Sequence, residues 1–281
     1  MDPLVSTEWL AAELGARDLR IADATYHVKL PGEPERDAAA EFDEGHIPGA
    51  IFMDLEGFSD PASHLPSTMP DAARFASRMG KRGLGDGTRI VLYDDAAHVT
   101  AARAWVMLRA FGFTDVALLD GGLAKWKAES RALDAGPVDA KPRHATPREH
   151  RTGIVSLDDV KAALDAGTQI VDARSAARFA GEEPDPRPGV APGHIPGSRN
   201  LRYRQLLNSD GTWKRGDALA SAFAEAGVDI DRRTIVTCGS GITASILAFG
   251  MHLLGREAAV YDGSWTEWGG LPDTPKATGA A

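Results

Sequence analysis

Two kinds of hydrophobic pattern alternate along the chain. Short runs of consecutive apolar residues, such as IVLY (90–93) and IVT (235–237), are followed by longer segments with helical periodicity, such as AARAWVMLRAFG (101–112) and TASILAFGMHLLG (243–255). This order predicts β–α–β–α units, and the crossover rule then predicts an α/β fold whose parallel sheets carry helices on both faces. The loops that follow the strands should lie at the carboxyl edge of each sheet, where α/β proteins bind ligands.

The same pattern occurs twice. Four motifs recur in the same order about 145 residues later: LRIADA, EGHIPGAIFMD, RIVLYDD and VALLDGGLAKW, then QIVDAR, PGHIPGSRNLR, RTIVTCG and AAVYDGSWTEW. This period is too long for a solenoid and indicates a duplicated domain. A Pro-rich, charged stretch separates the copies. We therefore expect a first domain over 1–135, a linker over 136–152 and a second domain over 153–281.

Capping residues mark two of the predicted helix starts. The sequence SLDD (156–159) fits a capping box at the first helix of the second half. Asp71, which follows Pro70, is available as the N-cap of a helix over 71–80.

Composition narrows the possible functions. The chain has 281 residues and a formal net charge of −9 with no Lys/Arg cluster, which argues against nucleic-acid binding. No run approaches the roughly 20 apolar residues of a membrane-spanning helix. The N-terminal sequence lacks the features of a signal peptide, so a cytoplasmic location is expected. The single cysteine cannot form an internal disulfide, and the scattered histidines do not suggest a metal site.

That cysteine, Cys238, follows the predicted strand RTIVT (233–237), and Gly239, Ser240 and Gly241 separate it from a helix that should begin near Thr243. Two glycines allow successive backbone N–H groups to surround the sulfur, backed by the positive end of the helix dipole. Such surroundings favour a thiolate, which is the nucleophilic form. The alternative is that Cys238 is a small buried apolar residue at a strand end.

Three motifs, CGSGITA (238–244), the repeated GHIPG and YDGSWTEW (261–268), resemble the tandem-domain rhodanese family of sulfurtransferases, and within it the 3-mercaptopyruvate sulfurtransferases most. The similarity covers nearly the whole chain. It implies two rhodanese-like domains, of which only the second is catalytic. The position that matches Cys238 in the first half falls on Asp94 or Asp95, and an aspartate cannot carry a sulfane sulfur.

The resemblance also implies a two-step mechanism without a cofactor. Cys238 would take a sulfur atom from 3-mercaptopyruvate as a persulfide and pass it to a thiol, cyanide or a thioredoxin-type acceptor. The backbone of Gly239, Ser240, Gly241, Ile242 and Thr243 would stabilise the charged sulfur species.

Two arginines, Arg178 and Arg187, match the family's pair of substrate-binding arginines. They lie in RFAGEEPDPRPG (178–189), which is too Pro-rich to predict regular structure. Guanidinium groups suit a carboxylate with an adjacent keto oxygen. The alternative is that both are solvated and paired with carboxylates at 182, 183 or 185.

In mercaptopyruvate-specific members, an aspartate and a histidine of the first domain join the serine that matches Ser240 and assist proton transfer. An ungapped alignment puts Glu56 at the aspartate position and Ser67 at the histidine position, with His64 three residues away. Either His64 reaches the site from a shifted loop, or Ser240 acts with the backbone groups alone.

Charge bears on which sulfur donor is preferred. Thiosulfate-preferring members carry basic residues directly after the cysteine, whereas Gly239 and Ser240 stand here. An uncharged loop with two remote arginines fits the monoanion 3-mercaptopyruvate better than thiosulfate, which is the alternative donor.

Other functions and residues fit less well. Cysteine phosphatases need an arginine six residues after the cysteine, where this chain has Ala244. A non-enzymatic rhodanese-like binding module would be expected to have lost the cysteine. His46 and His194 occur in both GHIPG turns although only one half has the thiol, so a structural role is expected. Trp265 and Trp268 are expected in the core.

Overall fold

The computed structural model describes residues 1–28, 35–148 and 153–280. The chain divides into two compact units: the first comprises the described parts of 1–61, 69–152 and 209–212, and the second those of 62–68, 153–208 and 213–281. Residues 136–148, expected as a linker, group with the first unit, and the rest of that linker lies outside the described residues.

The first unit contains a five-stranded parallel sheet with the strand order β1-β5-β4-β2-β3. Its strands are β1 (Leu4–Val5), β2 (Leu19–Asp23), β3 (Ala50–Phe52), β4 (Arg89–Tyr93) and β5 (Val116–Leu119). Its helices are α1 (Thr7–Glu13), α2 (Ala38–Glu44), α3 (Leu55–Phe58), α4 (Ala72–Lys81), α5 (Ala101–Ala110) and α6 (Gly122–Ala128).

The second unit repeats this parallel arrangement in the order β6-β10-β9-β7-β8. Its strands are β6 (Ile154–Val155), β7 (Gln169–Asp172), β8 (Arg199–Asn200), β9 (Thr234–Thr237) and β10 (Ala258–Tyr261). Its helices are α7 (Leu157–Asp165), α8 (Ala176–Ala180), α9 (Gly216–Glu225), α10 (Ile242–Leu253) and α11 (Ser264–Gly270), with a 3₁₀ helix at Tyr203–Leu206. The predicted α/β fold with two parallel sheets is confirmed.

Helices cover both faces of a sheet because successive strand side chains point to opposite sides. In β4, Val91 and Tyr93 join a buried cluster with Leu10 of α1 and Trp126 of α6. The intervening Ile90 and Leu92 are fully buried, and α5 contacts both β4 and β5. Both predicted caps are also present: Ser156 forms a capping box with Asp159, and Asp71 accepts a hydrogen bond from the Arg74 amide.

The two GHIPG turns pack identically. His46 is 1% exposed, stacks on Phe42 at 3.9 Å between ring centroids, and has its Nδ1 2.8 Å from the Phe42 carbonyl oxygen. His194 repeats these contacts with Phe179 of α8 at 3.7 Å and 2.8 Å. Rings held in this way are part of the core in both units, in keeping with the structural role expected for them.

A segment at residues 275–279, the α8 clasp, ties three parts of the second unit together. The backbones of Ala277 and His194 exchange two hydrogen bonds of 2.9 and 2.8 Å. Gly279 N–H donates to the carbonyl of Ala180, the last residue of α8, at 2.9 Å. The Trp268 indole donates to the Pro275 carbonyl at 2.8 Å. In the described part of the chain, no helix has both the length and the apolar character needed to cross a membrane.

Candidate active site

Cys238 lies directly beyond the carboxyl end of β9 and is 2% exposed. The cysteine loop, residues 238–241, leads into α10, which begins at Ile242, one residue before the predicted start. Gly241 is the N-cap with a φ of +81°, a left-handed conformation in which glycine avoids the strain of a side chain. The strand, the turn and the helix start therefore lie where the sequence predicts them.

Hydrogen bonds to α11 set the direction of the peptide groups in the cysteine loop. The amides of Trp265 and Thr266 donate to the carbonyls of Cys238 and Gly239 at 2.9 and 3.0 Å. Because the C=O and N–H groups of a trans peptide point in opposite directions, the amides of Gly239 and Ser240 point away from α11. Within the described residues, no acceptor is hydrogen-bonded to the amides of residues 239–241. These N–H groups, at the positive end of α10, remain available for an anion.

Ser264 is hydrogen-bonded to the cysteine loop and was not identified from the sequence. Its Oγ accepts a hydrogen bond from the Cys238 amide at 3.3 Å and donates to the Tyr261 carbonyl at 2.8 Å. The residue is fully buried and has a φ of +51°, which is uncommon for serine. The sequence feature that could have drawn attention to Ser264 is its position directly after the Asp-Gly pair that precedes α11.

The structure places both candidate arginines beside the cysteine loop. A Cβ atom on Gly239 would lie 3.1 Å from Nη1 of Arg187 and 3.7 Å from Nη2 of Arg178. Only glycine permits this approach without displacing a guanidinium group. The prediction of irregular structure is wrong for the start of their segment, because Ser175 caps α8 and keeps Arg178 helical ahead of the first proline.

A buried carboxylate holds the two arginines. The Asp185 side chain is 1% exposed; its Oδ2 accepts a 2.6 Å hydrogen bond from Arg178 Nη2, and its Oδ1 lies 3.7 Å from Arg187 Nη1. The same Oδ1 accepts the Arg187 amide at 3.0 Å. Asp185 thus pairs with the arginines, as the alternative in the sequence analysis proposed. The arginine side chains are nevertheless only 21% and 23% exposed and are not solvated surface charges.

Two guanidinium nitrogens in this group have no hydrogen-bond acceptor among the described residues. They are the buried Nε of Arg178 and Nη1 of Arg187. A buried donor without an acceptor is costly, so a bound ligand that accepts from it gains binding free energy. Two guanidinium charges and one carboxylate give this cluster a net charge of +1, which suits a monoanion.

The other candidate site residues predicted from the sequence differ in how far they are buried. Ser240 is 5% exposed, and no hydrogen-bond partner of its hydroxyl lies within the described residues. Glu56 is exposed on α3. His64 is exposed and Ser67 is half-buried with a φ of +59°; both belong to the segment 62–68 that groups with the second unit.

The register of the strands resolves which aspartate matches Cys238. Asp23 pairs with Tyr93 in the first sheet, and Asp172 pairs with Thr237 in the second, so the next residues, Asp94 and Cys238, correspond. The Asp94 carboxylate accepts the amides of Ala101, the first residue of α5, and Ala96 at 2.8 and 3.2 Å. Burial raises the pKa of Asp94 to about 7, and the carboxylates of Asp23 and Asp95 add to this increase.

In the described residues, no group of three His, Cys, Asp or Glu side chains is arranged to hold a metal ion. The chemical groups that the structure brings together at this site are a thiol, backbone amides, a serine hydroxyl and a pair of guanidinium groups.

Comparison with known proteins agrees with this geometry. Residues 6–129 and 156–271 each match the model of the rhodanese-like domain family. The chain belongs to the rhodanese family. Within that family it is 39% identical to a 3-mercaptopyruvate sulfurtransferase of Mus musculus, over 94% of this chain and 91% of the relative. It is 37% identical to thiosulfate/3-mercaptopyruvate sulfurtransferase 1, mitochondrial, of Arabidopsis thaliana, over 98% and 78%.

A solved structure of the rhodanese fold is also similar. The crystal structure of SseA from Escherichia coli, described as a 3-mercaptopyruvate sulfotransferase, superimposes with a TM-score of 0.84 at 35% identity. The match covers 94% of this chain and 99% of SseA. The relatives are sulfur-transferring enzymes, and the tandem arrangement predicted from the repeated motifs is confirmed.

Proposed function

We propose that this protein transfers sulfur from 3-mercaptopyruvate to a thiol or cyanide acceptor through a persulfide on Cys238. The observation that carries this proposal is that the guanidinium groups of Arg178 and Arg187 lie beside Gly239, the residue that follows the only cysteine in the chain. A carboxylate-bearing donor held by these guanidinium groups would have its sulfur near Cys238. The names of the Mus musculus and E. coli relatives support the same donor.

In the first step, the Cys238 thiolate attacks the sulfur of 3-mercaptopyruvate. An S–S bond forms, and the bond between that sulfur and C3 of the donor breaks. Its electron pair goes to the pyruvate enolate, which takes up a proton to become pyruvate. The arginine pair holds the carboxylate and the keto oxygen, and the free donors on Arg178 and Arg187 stabilise negative charge on that oxygen as it develops.

In the second step, an acceptor thiolate or cyanide attacks the outer sulfur of the persulfide. The S–S bond breaks, and its electron pair returns to Cys238 as a thiolate. The amides of Gly239, Ser240 and Gly241, with those of Ile242 and Thr243 at the helix start, would stabilise the anionic sulfur in both steps. The Ser240 hydroxyl would donate a hydrogen bond to the same anion. The cycle is covalent catalysis by protein groups alone.

The charge of the arginine cluster supports the choice of donor. With Asp185 included, the cluster carries a net +1, which balances the single carboxylate of 3-mercaptopyruvate. Thiosulfate carries two negative charges, and the cysteine loop supplies no cationic side chain to balance the second. Thiosulfate is the second candidate donor, because the name of the Arabidopsis relative includes both donors.

The test is sulfur transfer to cyanide from each donor, measured side by side for the native protein and Cys238→Ser. We expect a higher kcat/KM for 3-mercaptopyruvate and no turnover by the variant. Intact-mass spectrometry after exposure to the donor should show one added sulfur atom that cyanide removes. Turnover by Cys238→Ser would overturn the mechanism, whereas a higher kcat/KM for thiosulfate would overturn only the donor assignment.

A further inference from the structure

A second basic site lies on the first unit, away from the carboxyl edge of its sheet. A cavity of about 590 Å³ is lined by the start of β2 and by residues 48–51 around the start of β3. In a parallel sheet these amino-terminal ends lie opposite the edge at which Asp94 follows β4. The cavity is therefore separate from the position that corresponds to the cysteine loop.

Five cationic side chains line this cavity, and no Asp or Glu is among its described lining residues. They are Arg17, Arg20, Arg82, Lys141 and Arg143. None of the five has a carboxylate partner within 4 Å in the described part of the chain, although the whole protein has a net charge of −9. A cavity lined by cations and by no carboxylate attracts anions, even on an acidic protein.

Two of these cations repel each other. Partial burial lowers the pKa of Arg20, the nearby positive charge of Arg143 lowers it further, and the Asp18 carboxylate offsets part of this decrease. The backbone amide of Arg143 donates to the Gly80 carbonyl at 2.9 Å, which fixes residues 141–143 along the cavity wall. An anion between the two guanidinium groups would relieve the repulsion.

A neighbouring cavity of about 390 Å³ extends the positive surface. It shares Arg82 and is also lined by Arg74, Arg78 and Lys81 of α4. Asp54 is the one carboxylate among the described residues that line it. The field of these further cations strengthens the attraction of an anion to the larger cavity.

The larger cavity also has an apolar wall, which a free inorganic anion would not need. Leu19, Ile21, Pro48, Ile51 and Val138 contribute to it. Val138 is 39% exposed, one of the few large apolar side chains with such exposure in the described residues. Small-molecule sites commonly combine an apolar surface with a few placed charges.

We propose that this cavity binds a small polyanion in which an aromatic ring system is joined to two or more phosphate groups, as in a nucleoside diphosphate. The phosphates contact the arginines and lysine, and the ring lies on the apolar wall. The site is distinct from the groups that carry sulfur, so its occupation is a second binding function of the chain.

The test is isothermal titration of the full chain with ADP, pyrophosphate and adenosine at low ionic strength without divalent cations. We expect ADP to bind more tightly than pyrophosphate, and adenosine not to bind. Lys141→Gln/Arg143→Gln, at two exposed positions, should weaken ADP binding by about tenfold or more. Val138→Ser, which removes apolar surface without adding charge, should weaken ADP binding more than pyrophosphate binding.

A matched control, Lys161→Gln/Arg233→Gln, removes the same charge from the second unit and should leave ADP affinity within about twofold. Absence of ADP binding at millimolar concentration would overturn the proposal, as would equal affinity of the two double variants. Equal affinities for pyrophosphate and ADP would overturn the role of the apolar wall. Thermal unfolding of each variant checks that the fold is intact.

Discussion

Asp94 occupies in the first unit the position that Cys238 occupies in the second. The Leu123 amide donates to the Asp94 carbonyl at 3.0 Å, as the Trp265 amide donates to that of Cys238 at 2.9 Å. The Asp94 carboxylate accepts backbone amides at the start of α5, as a sulfur anion on Cys238 would at the start of α10. The first unit thus has a carboxyl group where the second has the thiol, and its oxygens accept backbone amides that follow the strand.

Asp94 should make stability depend on pH. The folded protein retains the Asp94 proton up to about pH 7, whereas the unfolded chain releases it near 3.8. Its stabilising contribution is therefore complete below pH 3.8 and is lost as the pH rises towards 7, by about 4 kcal/mol in total. Relative to Asp94→Asn, the free energy of unfolding of the native protein should fall over this range in urea titrations. The prediction would be contradicted if the difference in unfolding free energy between the native protein and Asp94→Asn did not change with pH. It would also be contradicted if Asp139→Asn, a control at an exposed position, gave the same trend.

Asp185 should control donor binding through the arginines that it holds. In Asp185→Asn, Arg178 loses its carboxylate partner and the cluster gains a positive charge. We expect kcat/KM for 3-mercaptopyruvate to fall about tenfold or more, mainly through KM, while the relative preference for thiosulfate rises. Glu182→Gln, at an exposed position of the same segment, is the control and should leave both constants within twofold. Equal effects of the two variants would exclude a positioning role for Asp185.

The left-handed conformation of Gly241 should matter for catalysis as well as for stability. Gly241→Ala and Gly255→Ala introduce a side chain at φ values of +81° and +70° at opposite ends of α10. Each should cost about 1–2 kcal/mol in the free energy of unfolding. Only Gly241→Ala should reduce kcat, because it alone alters the amides around the sulfur. Similar loss of kcat in both variants would show that the effect is general destabilisation.

We expect Ser240 to act with the backbone amides and without a proton relay from Glu56 or His64. Both of these side chains are exposed. Glu56→Gln and His64→Ala should keep kcat for 3-mercaptopyruvate within about twofold, whereas Ser240→Ala should lower it about tenfold. A general acid or base contributes about 10²–10⁴ in rate, so a loss of that size in His64→Ala would establish the relay.

The buried pair of Asp172 and Arg174 should be a major determinant of stability in the second unit. Arg174 is 4% exposed, donates to Asp172 at 2.6 Å and to the Gly193 carbonyl at 2.7 Å, and lies over the Trp265 ring. Arg174→Met leaves a buried carboxylate unpaired and should cost about 3–5 kcal/mol. Adding Asp172→Asn should recover part of this loss in urea unfolding. No recovery would mean that packing of the arginine, and not its charge, is what stabilises the unit.

The sequence predicted most of the fold and the centre of the site because these depend on local patterns. The repeated strand and turn motifs fix the duplicated α/β architecture, and CGSG fixes the turn into α10. It did not distinguish Asp94 from Asp95, because strand register depends on pairing with β2. It named Asp185 only as one of three possible partners of solvated arginines, because a carboxylate among prolines resembles a surface charge. It missed Ser264, because a lone serine has no signal of burial.

With the donor held by Arg178 as proposed, the α8 clasp makes donor recognition sensitive to residues far away in the sequence. Gly279 holds the last turn of the helix that carries Arg178, and Ala277 holds the His194 turn on which Phe179 rests. Proteolytic trimming of residues 275–279 would therefore act like a binding-site mutation, raising the donor concentration needed for half-maximal rate before it affected the thiol.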